Sequence, residues 1–214
     1  MRKFEISPRL VLATLIITGI IIGVFVMSIT NFLLEKDREQ IIQQKQKRIS
    51  LIADFLAQTF TDRLYKVSQI AKNPLFEKFS FADQINQESF GIPEELELEK
   101  RENLKSILYY NPNFSTLGLF LPNGDVYLAE PYSSQQNLEV RNFSFRDWYN
   151  GVTTSMKPYI SESYKTQYTN EMTLAMAAPI MEQNNLVGIV HATLNLDEIK
   201  NTLHNMSLGN ETKI

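Results

Sequence analysis

Residues 142–149 read NFSFRDWY and gather side chains able to grip a small polar molecule. Ser144 and Asp147 stand three apart, the spacing of a capping box, which predicts a helix opening at Ser144. Arg146 would then lie in the first turn. A cation is badly placed there, because the N-terminal end of a helix already carries partial positive charge. An anion lying between the guanidinium and the free backbone N–H groups would reverse that penalty. Arginine suits the task, since its planar fork can hold a carboxylate through two hydrogen bonds. Trp148 adds an apolar wall and one N–H donor, and Tyr149 adds a phenolic hydroxyl. A second reading stands beside this one. Arg146 could pair with Asp125 or another structural acid while Trp148 and Tyr149 fill core.

Other chemistries are poorly provided for. The 214 residues contain no cysteine, which removes disulfides, thiol nucleophiles and thiolate metal sites. The only imidazoles are His191 and His204, in different predicted elements, so neither a metal centre nor Ser–His catalysis is expected. His191 lies in an apolar strand and is either a satisfied core group or a donor facing a pocket. His204 is expected on the surface. No nucleophile, base and orienting group occur together, so no enzyme activity and no cofactor are expected. The 21 Lys and Arg against 24 Asp and Glu give a net charge of −3, unlike the basic footprint of nucleic-acid binding.

The elements that must position NFSFRDWY follow from patterning. STLGLFL and DVYLAE flank Pro122–Asn123–Gly124, and Asn-Gly between alternating apolar runs predicts a β-hairpin. After a helical SFRDWYNGVTTS come three strand-like runs, PYISESY, MTLAMAAPI and LVGIVHATL. Turn residues separate them at Thr169–Asn170 and at Gln183–Asn184–Asn185. NLDEIKNTLHNM closes the domain as an amphipathic helix. Upstream, GIPEELELEKRENLKSILYYNP predicts a helix with Leu96, Leu104, Ile107 and Leu108 inward, and residues 75–95 read as short helices and loop. The fold class is α+β, with one five-stranded antiparallel sheet flanked by helices.

The N-terminal part has a different solvent. Residues 10–34 carry no charge, and a bilayer core needs about 20 such residues in a helix. The run is too long for a signal peptide and lacks a small-residue cleavage site, which favours an uncleaved anchor. Gly19 and Gly23 form a small-xxx-small face that either brings two helices together or merely tolerates lipid. Arg2, Lys3 and Arg9 against Glu5 place residues 1–9 in the cytoplasm by the positive-inside rule. The exported remainder then holds 18 basic and 23 acidic residues. From Ile41 to Ala71 apolar residues recur three or four apart with no Gly or Pro before Pro74, which predicts a long helix over 35–73 stopped at Asn73–Pro74. Its polar opening, residues 35–48, suits a stalk or a homodimer contact.

FRDWY, followed by KPYISESY, TLAMAAPI and LVGIVHATLNLDEI, resembles the membrane-distal half of the double Cache sensor family. These are PAS-like extracytoplasmic domains of prokaryotic chemoreceptors, histidine kinases and cyclic-dinucleotide enzymes. The likeness covers roughly residues 35–207, with the PAS-like module itself at 74–207. It implies a small-molecule pocket between the sheet and the Arg146 helix. In the amino-acid-binding subset, the positions matching Arg146 and Trp148 hold a carboxylate, the one matching Tyr149 holds the amino group, and Tyr164 matches a further pocket tyrosine. Two positions depart from that subset. An aspartate expected in the last strand is Thr193, and a tyrosine five residues before Arg146 is Arg141. The resemblance therefore implies a carboxylate ligand without an amino group. Residues 208–214 would begin a second module, so the chain reads as the sensor part of a receptor that lacks its output domain. A membrane-anchored solute-binding or scaffold protein without signalling output is the alternative.

Overall fold

The computed structural model describes residues 8–86, 89–166 and 172–208, in two compact units. The basic N-terminal residues 2 and 3, the turn at 169–170 and the segment 209–214 lie outside the described residues. Helix α1 (Pro8–Ala71) is a single 64-residue helix. In the first unit, up to Asp54, every side chain from Leu15 to Lys47 is exposed. That stretch includes a helix long and apolar enough to cross a membrane.

The second unit begins at Phe55 and holds the sheet. Within it α1 ends where the sequence predicts. Asn73 accepts a hydrogen bond from Leu75 N (3.1 Å) and caps a 3₁₀ turn, Pro74–Phe76. A second 3₁₀ turn covers Ala82–Gln84. Helix α2 (Leu98–Tyr110) starts later than expected. Residues 91–96 instead form a loop with a turn from Pro93 to Leu96, and Arg101 on α2 holds its carbonyls. Its guanidinium donates to Leu96 O (3.1 Å), Ile92 O (3.1 Å) and Pro93 O (3.2 Å).

Strand β1 (Phe114–Phe120) pairs antiparallel with β2 (Val126–Glu130) across the predicted turn. Gly124 supplies the positive φ of 89° that this turn requires. A short helix not foreseen from the sequence, α3 (Tyr132–Gln136), follows β2. Then come α4 (Asp147–Ser155), β3 (Tyr159–Ile160), β4 (Tyr164–Lys165), β5 (Met172–Thr173), β6 (Ala175–Glu182), β7 (Asn185–Leu194) and α5 (Asp197–Leu208). The main sheet is antiparallel and five-stranded, in the order β2-β1-β7-β6-β3. Two expected strands are split. Only the start of PYISESY joins this sheet, while Tyr164–Lys165 pairs with Met172–Thr173 in a separate ribbon. The break at Leu174 likewise divides MTLAMAAPI between the two sheets.

Residue parity gives the main sheet two unlike faces. Leu117, Leu119, Met176, Ile180, Val190 and Leu194 point to one side, where they pack with Val67 and Ile70 of α1 and Leu104 of α2. Ala175, Ala177, Phe120 and Ile189 point to the other, toward Trp148 and Val152 of α4.

The end of the sheet at β2 is held by a buried ion pair. Arg101 Nη1 donates to Glu130 Oε1 at 2.8 Å, both side chains being buried, and the guanidinium lies 5.1 Å from the Tyr132 ring. Gln135 on α3 accepts from Ala129 N (2.9 Å) and donates to Ser89 O (2.7 Å) and Ile92 O (2.9 Å). One cation thus ties α2, β2 and the 89–97 loop together. Removing one partner of such a pair leaves the other as an unsatisfied buried charge. The variant Arg101→Ala is expected to lose about 3–5 kcal/mol in urea unfolding, and Arg101→Ala with Glu130→Leu to recover part of it.

Candidate ligand-binding site

The NFSFRDWY segment folds in a way that releases Arg146. Asn142 Oδ1 accepts from Ser144 N (3.0 Å) and Ser144 Oγ (2.6 Å), so Ser144 closes a side-chain turn and is not the helix cap. The N-cap is Arg146 itself, extended at φ −77° and ψ 147°, and its side chain makes no capping bond. The guanidinium sits between two aromatic rings, 4.8 Å from Tyr164 and 5.0 Å from Phe145. It makes no ion pair or hydrogen bond to any described residue and is half-buried. Asp125, the acid that could have neutralised it, is engaged elsewhere. It accepts from Asn142 Nδ2 (2.9 Å) and Asn123 Nδ2 (3.0 Å), and Arg141 Nε lies 3.9 Å away.

Two fixings place the rings around this cation. Asp147 Oδ2 accepts from Glu162 N at 2.6 Å, and Ser161 Oγ accepts from Ala175 N at 2.8 Å. These bonds pin the stretch between β3 and β4 to α4 and β6, which carries Tyr164 to Arg146. Gly151 allows α4 to sit close on β3, since a Cβ there would meet the Tyr159 ring at 2.4 Å. Trp148 is buried, with its indole against His191 (4.7 Å between centroids) and Phe120 (5.0 Å).

Beneath α4 the sheet presents a floor of small side chains. One cross-strand row is Gly118–His191–Ala177 and the next is Thr116–Thr193–Ala175. The residues directly opposite His191 on the two neighbouring strands are therefore small, and Phe120 of β1 packs against its ring from two positions along. Thr193 is buried, and its hydroxyl pairs with that of Thr116 at 2.8 Å. His191 is flanked by Trp148 and Phe120 and keeps a small accessible surface. Burial, and then the positive charge of Arg146, push its pKa down to about 3, so the ring is neutral at physiological pH.

The structure thus brings Arg146, Trp148 and Tyr164 together over a floor that includes Thr193. Two expected residues are placed otherwise. Tyr149 turns its hydroxyl to Pro122 O (2.7 Å), where it fastens α4 to the hairpin turn. Arg141 lies beside Asp125 and lines a separate open cleft with Phe90, Glu139 and Phe145, sharing only Phe145 with Arg146. The second cation does not join the first. His191, which the sequence left between core and pocket, belongs with Arg146 and Trp148. Its signal was parity: it lies two residues before Thr193 on one strand and so shares its face.

A neutral folded-state His191 makes stability depend on pH. Below about pH 6.5 the unfolded chain binds a proton that the folded chain refuses, so stability falls as pH drops from 6.5 toward 3. Between pH 7.5 and 5.5 the wild type is expected to lose about 1 kcal/mol more than His191→Gln in denaturant unfolding.

Comparison with known proteins gives this arrangement a setting. The V. cholerae histidine kinase DctB sensor domain superposes with a TM-score of 0.58 at 12% identity, over 76% of this chain and 59% of that one. The ligand-binding domain of the Pseudomonas aeruginosa amino-acid chemoreceptor PctC, solved with GABA, gives 0.54 at 18% identity, over 75% and 64%. That of the Pseudomonas fluorescens chemoreceptor CtaA, solved with L-isoleucine, gives 0.52 at 19%, over 72% and 56%. The chain therefore spans about three fifths of the length of these structures, and the likeness is one of fold. No curated protein matches it by sequence. The Cache domain profile matches residues 35–214, and the chain belongs to the Cache domain family.

Proposed function

We propose that the second unit is the extracytoplasmic sensing module of a prokaryotic transmembrane receptor and that it binds a small carboxylate lacking an amino group. The module has no catalytic role in this reading. One observation carries the ligand class: the Arg146 guanidinium is held between Tyr164 and Phe145 with no acid among the described residues, at the N-cap of a helix that its own side chain does not cap. A partly desolvated cation without a counter-ion is unfavourable, and a carboxylate seated against it and the helix N-terminus relieves that. An ammonium would need an anion of its own. Thr193 offers only a hydroxyl already bonded to Thr116.

The apolar N-terminal part of α1 serves as the anchor in this reading, with residues 1–9 cytoplasmic and the sheet outside. Signalling requires that the ligand prefer one of two arrangements of the module. The sheet face opposite the site carries Val67 and Ile70 of α1, so a shift of the floor strands reaches that helix directly. A homodimer through α1 fits the same proposal, and light scattering of the full chain in detergent would test it.

Calorimetric titration of the full chain in nanodiscs with acetate, propionate, succinate, isoleucine and GABA tests the ligand class. An organic acid is expected to bind, and Arg146→Ala to lose about 2–5 kcal/mol, or about 30- to 5,000-fold in Kd, with its melting temperature preserved. Tight binding of the amino acids with none of the simple acids would overturn the reading.

A further inference from the structure

The imidazole of His191 is a chemical resource that the fold does not consume. It makes no hydrogen bond to any described residue, although it lies against Trp148 and Phe120. Its direct cross-strand neighbours are the small residues Gly118 and Ala177, and the Phe120 ring leans over Gly118 against the imidazole. Placing a larger group at Gly118 would drive into the Phe120 ring, whose Cε2 lies 3.0 Å from a Cβ built there. A core histidine in such a strand normally finds a carbonyl or a hydroxyl for its N–H. This one stands unpaired on a floor of glycine, alanine and threonine, within electrostatic reach of an unpaired guanidinium.

We propose that His191 is a second ligand-binding group of this site, donating a ring N–H to the same acid group that Arg146 grips. The proposal rests on the carboxylate reading above and adds to it a residue with a distinct signature. Arg146 approaches from the start of α4 and His191 from the middle of β7, so an acid group between them has one donor set above and one below. Its negative charge would offset the two influences that now keep the imidazole unprotonated, the lack of polar surroundings and the neighbouring cation. Binding should therefore be accompanied by proton uptake at His191 at mildly acid pH, and affinity for the anion should rise as pH falls.

Among the described residues, Arg146 is the charge that acts on the ring. From β1 it faces Thr116, Gly118 and Phe120, and from β6 it faces Ala175 and Ala177. From α4 it meets Trp148, with Arg146 just ahead as the one charge felt among the described residues. Asp147 is turned away to Glu162 N, the phenols of Tyr149, Tyr159 and Tyr164 lie around α4, and Glu162 and Lys165 are exposed.

The test is titration of the full chain in nanodiscs with propionate and succinate at pH 5.5 and 7.5, in two buffers of different ionisation enthalpy. The wild type is expected to take up protons on binding at pH 5.5 and to bind more tightly there than at pH 7.5. In His191→Asn, which keeps an N–H donor but cannot titrate, binding is expected to persist while the extra uptake disappears. The acid's own titration is common to both proteins and cancels. In His191→Phe, affinity is expected to fall about 10- to 150-fold with the melting temperature retained. Equal proton uptake in wild type and His191→Asn, or unchanged affinity in His191→Phe, would overturn the role of His191 while leaving the carboxylate reading intact. Failure of both acids to bind would remove this inference and the carboxylate reading together.

Discussion

The central sheet is covered on both faces, and strict two-residue parity decides what each face can be. On the α1–α2 side the strands contribute Leu117, Leu119, Met176, Ile180 and Val190, which fill the space as an ordinary core. On the α4 side the same strands contribute Thr116, Gly118, Ala175, Ala177 and Thr193 at the matching heights. Phe120, Ile189, Trp148 and Val152 supply the bulk on that side and pack with Ala175 and Ala177. In the proposed reading the small residues of this face are the floor of the site, while the other face retains the bulk that holds the fold.

The cation above that floor shows how loop chemistry determines electrostatics. Arginine at an N-cap position makes no cap, so its side chain can be directed elsewhere at little cost to the helix. Asn142 does the local work twice, turning the chain at Ser144 and occupying Asp125 from its amide. Asp147, the next acid along, is occupied by the Glu162 amide. With both acids engaged, the guanidinium is left with the faces of two rings. Stacking of this kind is worth about 0.5–2 kcal/mol and orients the group without neutralising it. The arrangement is opposite to that of Arg101, which has Glu130, three carbonyls and a ring around it. One arginine holds the structure together, and the other remains available to an incoming anion.

Much of this architecture is legible in the sequence because its signals are local. The apolar run, the stop at Asn73–Pro74, the Asn123–Gly124 turn and the alternation in β6 and β7 each depend on a few adjacent residues. The misplaced details depend on contacts between distant segments. Residues 91–96 look helical until Arg101 and Gln135 take their carbonyls. PYISESY looks like one strand until Ser161 bonds to Ala175 and Glu162 to Asp147. Among site residues the same division holds. Arg146 and Trp148 announce themselves by spacing and Tyr164 by resemblance. Tyr149 and Arg141 are drawn away by partners, Pro122 O and Asp125, that no spacing reveals.

Fold likeness and ligand choice separate at the level of single rows in the sheet. Relatives solved with isoleucine and with GABA share this framework at under 20% identity, which establishes the architecture and leaves the chemistry of the floor open. In this chain the floor positions that can address a ligand are His191 and Thr193, on one strand and one face. The former can lend a proton donor and the latter a hydroxyl, and neither supplies a negative charge. Above them Arg146 supplies a positive one. In the proposed reading, a molecule with both an anionic and a cationic end would find only half of its complement here, whereas one with an acid end and an uncharged body would meet donors at the acid and small apolar surface elsewhere. What the site selects therefore follows from two side chains and one unpaired guanidinium, carried on a scaffold that would accept other choices at the same positions.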